Sequence, residues 1–263
     1  MTGIIADACC NHLGDIRILE QMIRMFAKIK NARVSNKVGS YDDVPDIIKF
    51  QAFKAENIKG GFDQDYYASV QLKDEHYNLI KDLCFDLELP FMFTIFTEDM
   101  IEKVKKCFEG TPYSYAKIAS PDANNWSLIY NCVQAFDNIF ISTGMHSPRE
   151  IRDLRDYIKT LDHNKNIEIM YCISKYPTAY EGVDFDTMQL FDGFSDHTLT
   201  NSAAKTAMDL GVKYIERHYT LGKYLPGKDH CMSSSPDELK DLADYRNYLS
   251  SIDNYKKRWR TND

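Results

Sequence analysis

Hydrophobic and polar positions along this chain follow two periods that take turns. Residues 3–10, GIIADACC, form a short apolar run that predicts a strand. Ile16, Leu19, Ile23, Phe26 and Ile29 then recur at helical spacing and predict a helix over 15–31. The switch repeats along the chain. Strand-like runs at 46–53, 90–96, 115–120, 138–143, 167–173, 193–197 and 213–220 are each followed by a helical stretch. Those helices are expected at 72–88, 98–107, 125–135, from Pro148, near 185–191, at 201–210 and at 236–250. Pro148 suits a first helical position, where a missing N–H costs nothing.

Eight strand–helix units in one run predict an α/β fold, a single (β/α)8 TIM barrel spanning residues 1–263. An open doubly wound sheet is the competing arrangement. Eight alternations are many for it, and no Gly-rich phosphate loop follows the first strand. The stretch 31–43, NARVSNKVGSYDD, is expected to be a surface connection entering the second strand from the face that serves stability.

Composition narrows the classes. The chain has 263 residues, 44% of them hydrophobic, which is ample for a substantial core. A net charge of −7 offers no electrostatic footprint for nucleic acid or an acidic membrane, and no partner of either kind is expected. The basic run YKKRWR near the C-terminus is expected to be a solvated helix end. Seven cysteines, with no C-x-x-C pair, point to a reduced, cytoplasmic protein. The N-terminus lacks a signal peptide's basic region, and no apolar run reaches the roughly 18 residues of a membrane span.

In a barrel, chemistry belongs where strands end. Every predicted strand brings a polar residue there: Asp7; Lys49 and Gln51; Thr94; Lys117 and Ser120; Ser142; Ser174 and Tyr176; Ser195 and His197; Glu216 and His218. Taken singly, a serine is more often a cap, and Lys49 could simply pair with Asp7. Two lysines among several hydroxyls describe a pocket for a phosphate and a carboxylate. His197 and His218 end neighbouring strands and could converge on one ion, with Asp7 nearby and positions left open for water and substrate oxygens. Such nitrogen and oxygen ligation suits Mn2+, with Mg2+ or Co2+ as related choices. Glu216 is expected to orient a ligand from behind. His76, His146 and His163 are expected to be solvated.

Several segments then resemble a known family. IADACCNHLGD, IIKFQAFKAEN, YAKIASPD, ISTGM, YCISKYPTAYEGV, FSDHT, IERHYTL and LPGKDH follow the order and near spacing of the sialic acid synthases, over about residues 4–245. The resemblance implies a TIM barrel that uses a divalent metal. It implies condensation of phosphoenolpyruvate with an N-acetylmannosamine-type aldose to a nine-carbon 2-keto-3-deoxy acid, with release of phosphate. It assigns His197 and His218 to the metal, and Lys49, Thr94, Lys117, Ser120, Ser142, Ser174 and Ser195 to phosphoenolpyruvate. Gln51, Tyr176 and Asp229 go to the sugar, and Asp7 to a water proton.

The chain departs from the family pattern at several points. Asp7 stands where Glu is usual, Ile95 replaces a Pro, and Pro121 replaces a Gly. Typical members continue into an antifreeze-like domain that crosses a dimer and donates an Arg to the sugar's N-acyl group. This chain is expected to lack it, so a homodimer or a separate antifreeze-like polypeptide is the implied partner. Two other functions compete: the same chemistry on a different aldose, and a non-catalytic barrel that binds a sugar, a phosphate or a partner subunit.

Overall fold

In a computed structural model, which describes residues 1–34, 44–58, 63–161 and 164–260, eight parallel strands close into a barrel in chain order. The strands are β1 (Gly3–Asp7), β2 (Ile47–Ala52), β3 (Phe91–Ile95), β4 (Tyr115–Ile118), β5 (Asn138–Ser142), β6 (Asn166–Cys172), β7 (Gly193–Asp196) and β8 (Tyr214–His218). Around them run α1 (Ile16–Val34), α2 (Gln64–Val70), α3 (Asp74–Asp86), α4 (Ile101–Cys107) and α5 (Trp126–Ala135). The ring continues with α6 (Pro148–Ile158), α7 (Phe185–Met188), α8 (Ser202–Asp209) and α9 (Pro236–Arg260). The predicted TIM barrel is therefore the observed fold.

Local chemistry explains most helix starts. Ser147 accepts from the Glu150 N–H while the Glu150 carboxylate accepts from the Ser147 N–H, with Pro148 between them. At α5 and α7 the side chains of Asn125 and Asp184 accept the Leu128 and Thr187 N–H groups as simple N-caps. Two differences from expectation stand out. Helix α2 is an extra element capped by Asp63, and α9 runs ten residues past the expected end at 250. The predicted connection 31–43 is helical as far as Val34, and the rest lies outside the described residues.

Because both faces of a parallel strand are covered, the strands are apolar nearly throughout. Side chains pointing outward, such as Ile4, Phe50, Phe93 and Ile215, pack under the helices. Inward, Ile5, Ile47, Met92, Phe140, Met170 and Tyr214 fill the floor of the barrel. Gly193 makes room for that floor: a Cβ there would lie 2.4 Å from Met170 Sδ. On the underside, Arg246 of α9 donates to Asp46 at 2.5 Å, and the same Asp46 oxygen accepts the Ile4 N–H at 2.9 Å. All seven cysteines are free thiols. Among the described residues, no helix is long and apolar enough to cross a membrane.

Candidate active site

Alternation along each strand turns one polar layer inward above the apolar floor. The register sets Asp7 beside both Lys49 and His218, Gln51 beside Thr94, Thr94 beside Lys117, and Ser195 beside Glu216. Above this layer the barrel opens into a cavity of about 740 Å³, lined by all thirteen candidate side chains. That size falls within the range of small-molecule sites, about 300–1,000 Å³. A second cavity, about 590 Å³, lies outside the barrel mouth by Leu72 and Met100 and contains none of the thirteen.

The two lysines are not free cations waiting for an anion. Lys49 Nζ lies 2.8 Å from Asp7 and 3.3 Å from Glu216, and donates to Thr94 Oγ1 at 3.1 Å. Lys117 Nζ donates to both Glu216 oxygens, at 3.0 and 2.8 Å, and Ser195 adds a third hydrogen bond to that carboxylate at 2.7 Å. Buried ammonium groups need counter-charge, and two carboxylates provide it. Glu216 therefore faces the lysines rather than orienting a histidine, contrary to expectation. Burial works to raise the Glu216 carboxyl, but Lys117 and Lys49 outweigh it and hold the group well below the usual range. Burial lowers Lys117, because Glu216 only partly offsets it and Lys49 repels. Lys49, facing two carboxylates, moves the other way despite its own burial.

Donor counting separates the lysines. An ammonium has three N–H groups. Lys49 has three protein partners, whereas both Lys117 contacts go to one carboxylate and leave a donor over. Hydroxyls add to it. Ser120 Oγ accepts the Met145 N–H at 2.7 Å, which leaves its own hydrogen to give. Ser142 Oγ is buried with no hydrogen-bond partner, and Ser174 Oγ has only the Cys172 thiol beside it. Unpartnered buried hydroxyls at a cavity wall suit a ligand oxygen.

The histidines sit one layer higher, with ring centroids 5.2 Å apart at 81°. His197 Nδ1 donates to the Ile173 carbonyl at 2.9 Å, which fixes the tautomer and leaves the Nε2 lone pair available. Burial, helped by His218, lowers His197 to about 3, so the ring is neutral at pH 7. Tyr176 packs on both rings, at 4.3 and 5.9 Å between centroids. His218 stands between two carboxylates, with Nε2 3.7 Å from Asp7 and Nδ1 3.8 Å from Asp229. Its Nδ1 is buried without a hydrogen-bond partner. Ligand atoms of His218, Asp229 and Cys9 all lie within 4.8 Å of one another. Imidazoles beside carboxylates form a donor set that fits a divalent cation.

Outward-facing neighbours hold this geometry. Asp196 and Arg217, in register on β7 and β8, point away from the cavity and pair at 3.0 Å, both fully buried. Arg217 also donates to the carbonyls of Thr198 and Met232 and to Ser234 Oγ. Asn11 donates to the Tyr219 carbonyl and to Ser233 Oγ, and Ser233 donates to the Asp229 carbonyl. The β8–α9 loop is thereby tied down, and Asp229 is carried over His218.

Other features escaped the pattern of the sequence. His76 is buried rather than solvated, with Nδ1 accepting the Lys73 N–H at 3.1 Å. His146 is half-buried, and His163 lies outside the described residues. Tyr66 and Tyr67 of α2, with Lys228 over both rings at 4.6 and 5.0 Å, form part of the cavity wall. Their only sequence signal was a pair of adjacent tyrosines.

The NeuB family model matches residues 42–257 of this chain. The N,N'-diacetyllegionaminic acid synthase of Legionella pneumophila is 29% identical over 266 residues, covering 91% of this chain and 70% of that protein. The human N-acetylneuraminate-9-phosphate synthase is 25% identical over 255 residues, covering 91% and 68%. The crystal structure of N-acetylneuraminic acid (sialic acid) synthetase from Leptospira borgpetersenii, in complex with citrate, has a TM-score of 0.81 at 25% identity. It covers 95% of this chain and 84% of that one.

Proposed function

The chain belongs to the NeuB family, and on that premise we propose that its cavity condenses phosphoenolpyruvate with an aldose of the N-acetylmannosamine type. The products are a nine-carbon 2-keto-3-deoxy acid and phosphate, which makes the protein a carbon–carbon bond-forming transferase of polysaccharide-sugar synthesis in the cytoplasm. One observation carries this reading: polar side chains from all eight strand ends, and Asp229 from the last loop, line a single cavity.

Lys117, with its spare donor, and the hydroxyls of Ser120, Ser142 and Ser174 bind the phosphate and carboxylate of phosphoenolpyruvate. Lys49, Thr94 and Ser195 keep the layer beneath them rigid and charge-balanced, so no reorganisation is needed as charge moves to the leaving phosphate. His197 and His218 would hold a divalent ion, Mn2+ or a related one, which when bound would supply Lewis-acid polarisation of the open-chain aldehyde. Gln51 and Asp229 hold sugar hydroxyls, while Tyr176 covers the histidines and packs against the sugar. The phosphoenolpyruvate C3 attacks the aldehyde carbon, whose oxygen takes a proton from solvent to become the new hydroxyl, and water adds at C2. Asp7, held in place by Lys49 and the Cys9 N–H, takes up that water's proton. The C–O bond to phosphate then breaks. A homodimer, or a separate antifreeze-like polypeptide, is the partner proposed to complete the acceptor side.

Phosphate release from phosphoenolpyruvate, with N-acetylmannosamine, mannose or no sugar, tests this. Release that needs an aldose supports the condensation, and a product of nine-carbon mass identifies it. Sugar-independent release, or none with any aldose and divalent ion, refutes it.

A further inference from the structure

The loop that follows β1 holds a residue where its backbone would favour glycine. Cys9 has φ +37°, in the left-handed region, where a side chain costs on the order of 1 kcal/mol that glycine would avoid. Its thiol is fully buried. Strain of this kind persists where the surroundings need the side chain. The surroundings here are His218 and Asp229: one donor atom from each of the three residues lies within 4.8 Å of the others. His218 Nδ1, buried and without a hydrogen-bond partner, lies 3.8 Å from Asp229 Oδ2.

From this geometry we propose that Cys9 and Asp229 ligate the same divalent ion as His218, with His197 the fourth member of the set. The inference rests on the reading that the site uses a divalent ion, and it names the class of ion. With bonds of about 2.0–2.3 Å, ligand atoms in a tetrahedral arrangement lie roughly 3.3–3.8 Å apart, and expansion to five-coordinate would admit the aldehyde oxygen. The His218–Asp229 separation already meets that spacing, and a contraction of about 1 Å brings the widest pair within it. The thiol hydrogen leaves to solvent as a proton when the sulfur–metal bond forms.

A thiolate changes selectivity. Histidine and carboxylate ligands alone accept Mn2+ or Mg2+, whereas sulfur favours Zn2+, Co2+ and Fe2+. Zinc-class ions therefore displace Mn2+ from this site. Asp229 gives the ion one carboxylate oxygen and keeps the other for a sugar hydroxyl, and Gln51 and Tyr176 remain on the acceptor side.

Cobalt gives a readout independent of turnover. The full-length protein, freed of metal by chelation and titrated with Co2+ without oxygen, is expected to develop a near-ultraviolet thiolate-to-cobalt charge-transfer band that saturates at one ion per chain. Cys9→Gly removes the thiol and relieves the positive φ, so this variant folds. It is expected to lose the band and roughly 10–100-fold of Co2+ affinity, the range seen when even outer ligand partners are removed. Cys10→Ser, at the neighbouring buried thiol, is expected to keep the band. Stoichiometric Co2+ binding that His218→Ala abolishes, but with no such band, overturns the Cys9 assignment and leaves the metal reading standing. A band that survives Cys9→Gly also overturns it. If neither Co2+ nor Mn2+ binds the metal-free protein, the metal reading falls and takes this inference with it.

Discussion

Replacing Glu216 by Gln keeps the shape of the side chain and removes one charge from the centre of the barrel. Two ammonium groups then face one carboxylate, Asp7, instead of two. Breaking a buried ion pair by removing one partner costs about 3–5 kcal/mol, and this carboxylate serves both lysines. The cost depends on pH with a definite sign. Burial already holds Lys117 below the usual lysine value, and loss of its carboxylate lowers it further. Between that depressed value and the unfolded value, about 10.4, the unfolded chain binds more protons, so stability rises with pH. The deficit is therefore full below the folded value and shrinks as pH climbs toward about 10. Inorganic phosphate should also stabilise the variant more than the wild type, because the unpaired cation welcomes an anion. At one hundred times its dissociation constant it returns about 2.7 kcal/mol. Urea denaturation at two pH values, with and without phosphate, measures all of this. Wild-type stability in the variant, a deficit that grows with pH, or a smaller phosphate gain than in the wild type would refute the charge account.

The remaining predictions concern neighbouring parts of the structure. Lys117→Ala should weaken phosphoenolpyruvate binding about ten- to hundredfold, the worth of one hydrogen bond to a charged group, while a Co2+ titration stays unchanged. Calorimetry of both ligands checks this. Arg217→Met should cost about 3–5 kcal/mol by stranding Asp196, and Asp196→Leu in the same chain should recover most of it, as a double-mutant cycle in guanidinium would measure. Burial, with His76 nearby, lowers His12 to about 4. The native state thus stays neutral while the unfolded chain takes up a proton below about 6.5, and stability falls by roughly 3 kcal/mol between those pH values. In His12→Gln that slope should flatten by about one proton.

The barrel was legible because its strands are short, apolar and regularly spaced, and because period-two alternation says which side chains share the interior. That rule alone gathers Lys49, Lys117, Ser195 and His218. It does not say who faces whom across the barrel. Lys117 and Glu216 are 99 residues apart, and their pairing follows from closure of the sheet rather than from any local signal. The positive φ of Cys9 was invisible for a similar reason: in an apolar run, a buried thiol looks like packing. His76 looked solvated because its helix carries charges on either side, yet its ring turns inward to cap that helix. Helix α2 has too few apolar positions to show a period, and Asp63 at its cap marks its start.

The central claim is that this cavity joins phosphoenolpyruvate to an aldose with cleavage of the C–O bond. Phosphoenolpyruvate carrying oxygen-18 in the bridging position, incubated with the protein, a divalent ion and N-acetylmannosamine, tests it most directly by mass spectrometry of both products. The account predicts labelled phosphate, formed only when the sugar is present and matched one for one by an unlabelled nine-carbon keto acid. Unlabelled phosphate, or labelled phosphate without the sugar, would contradict it.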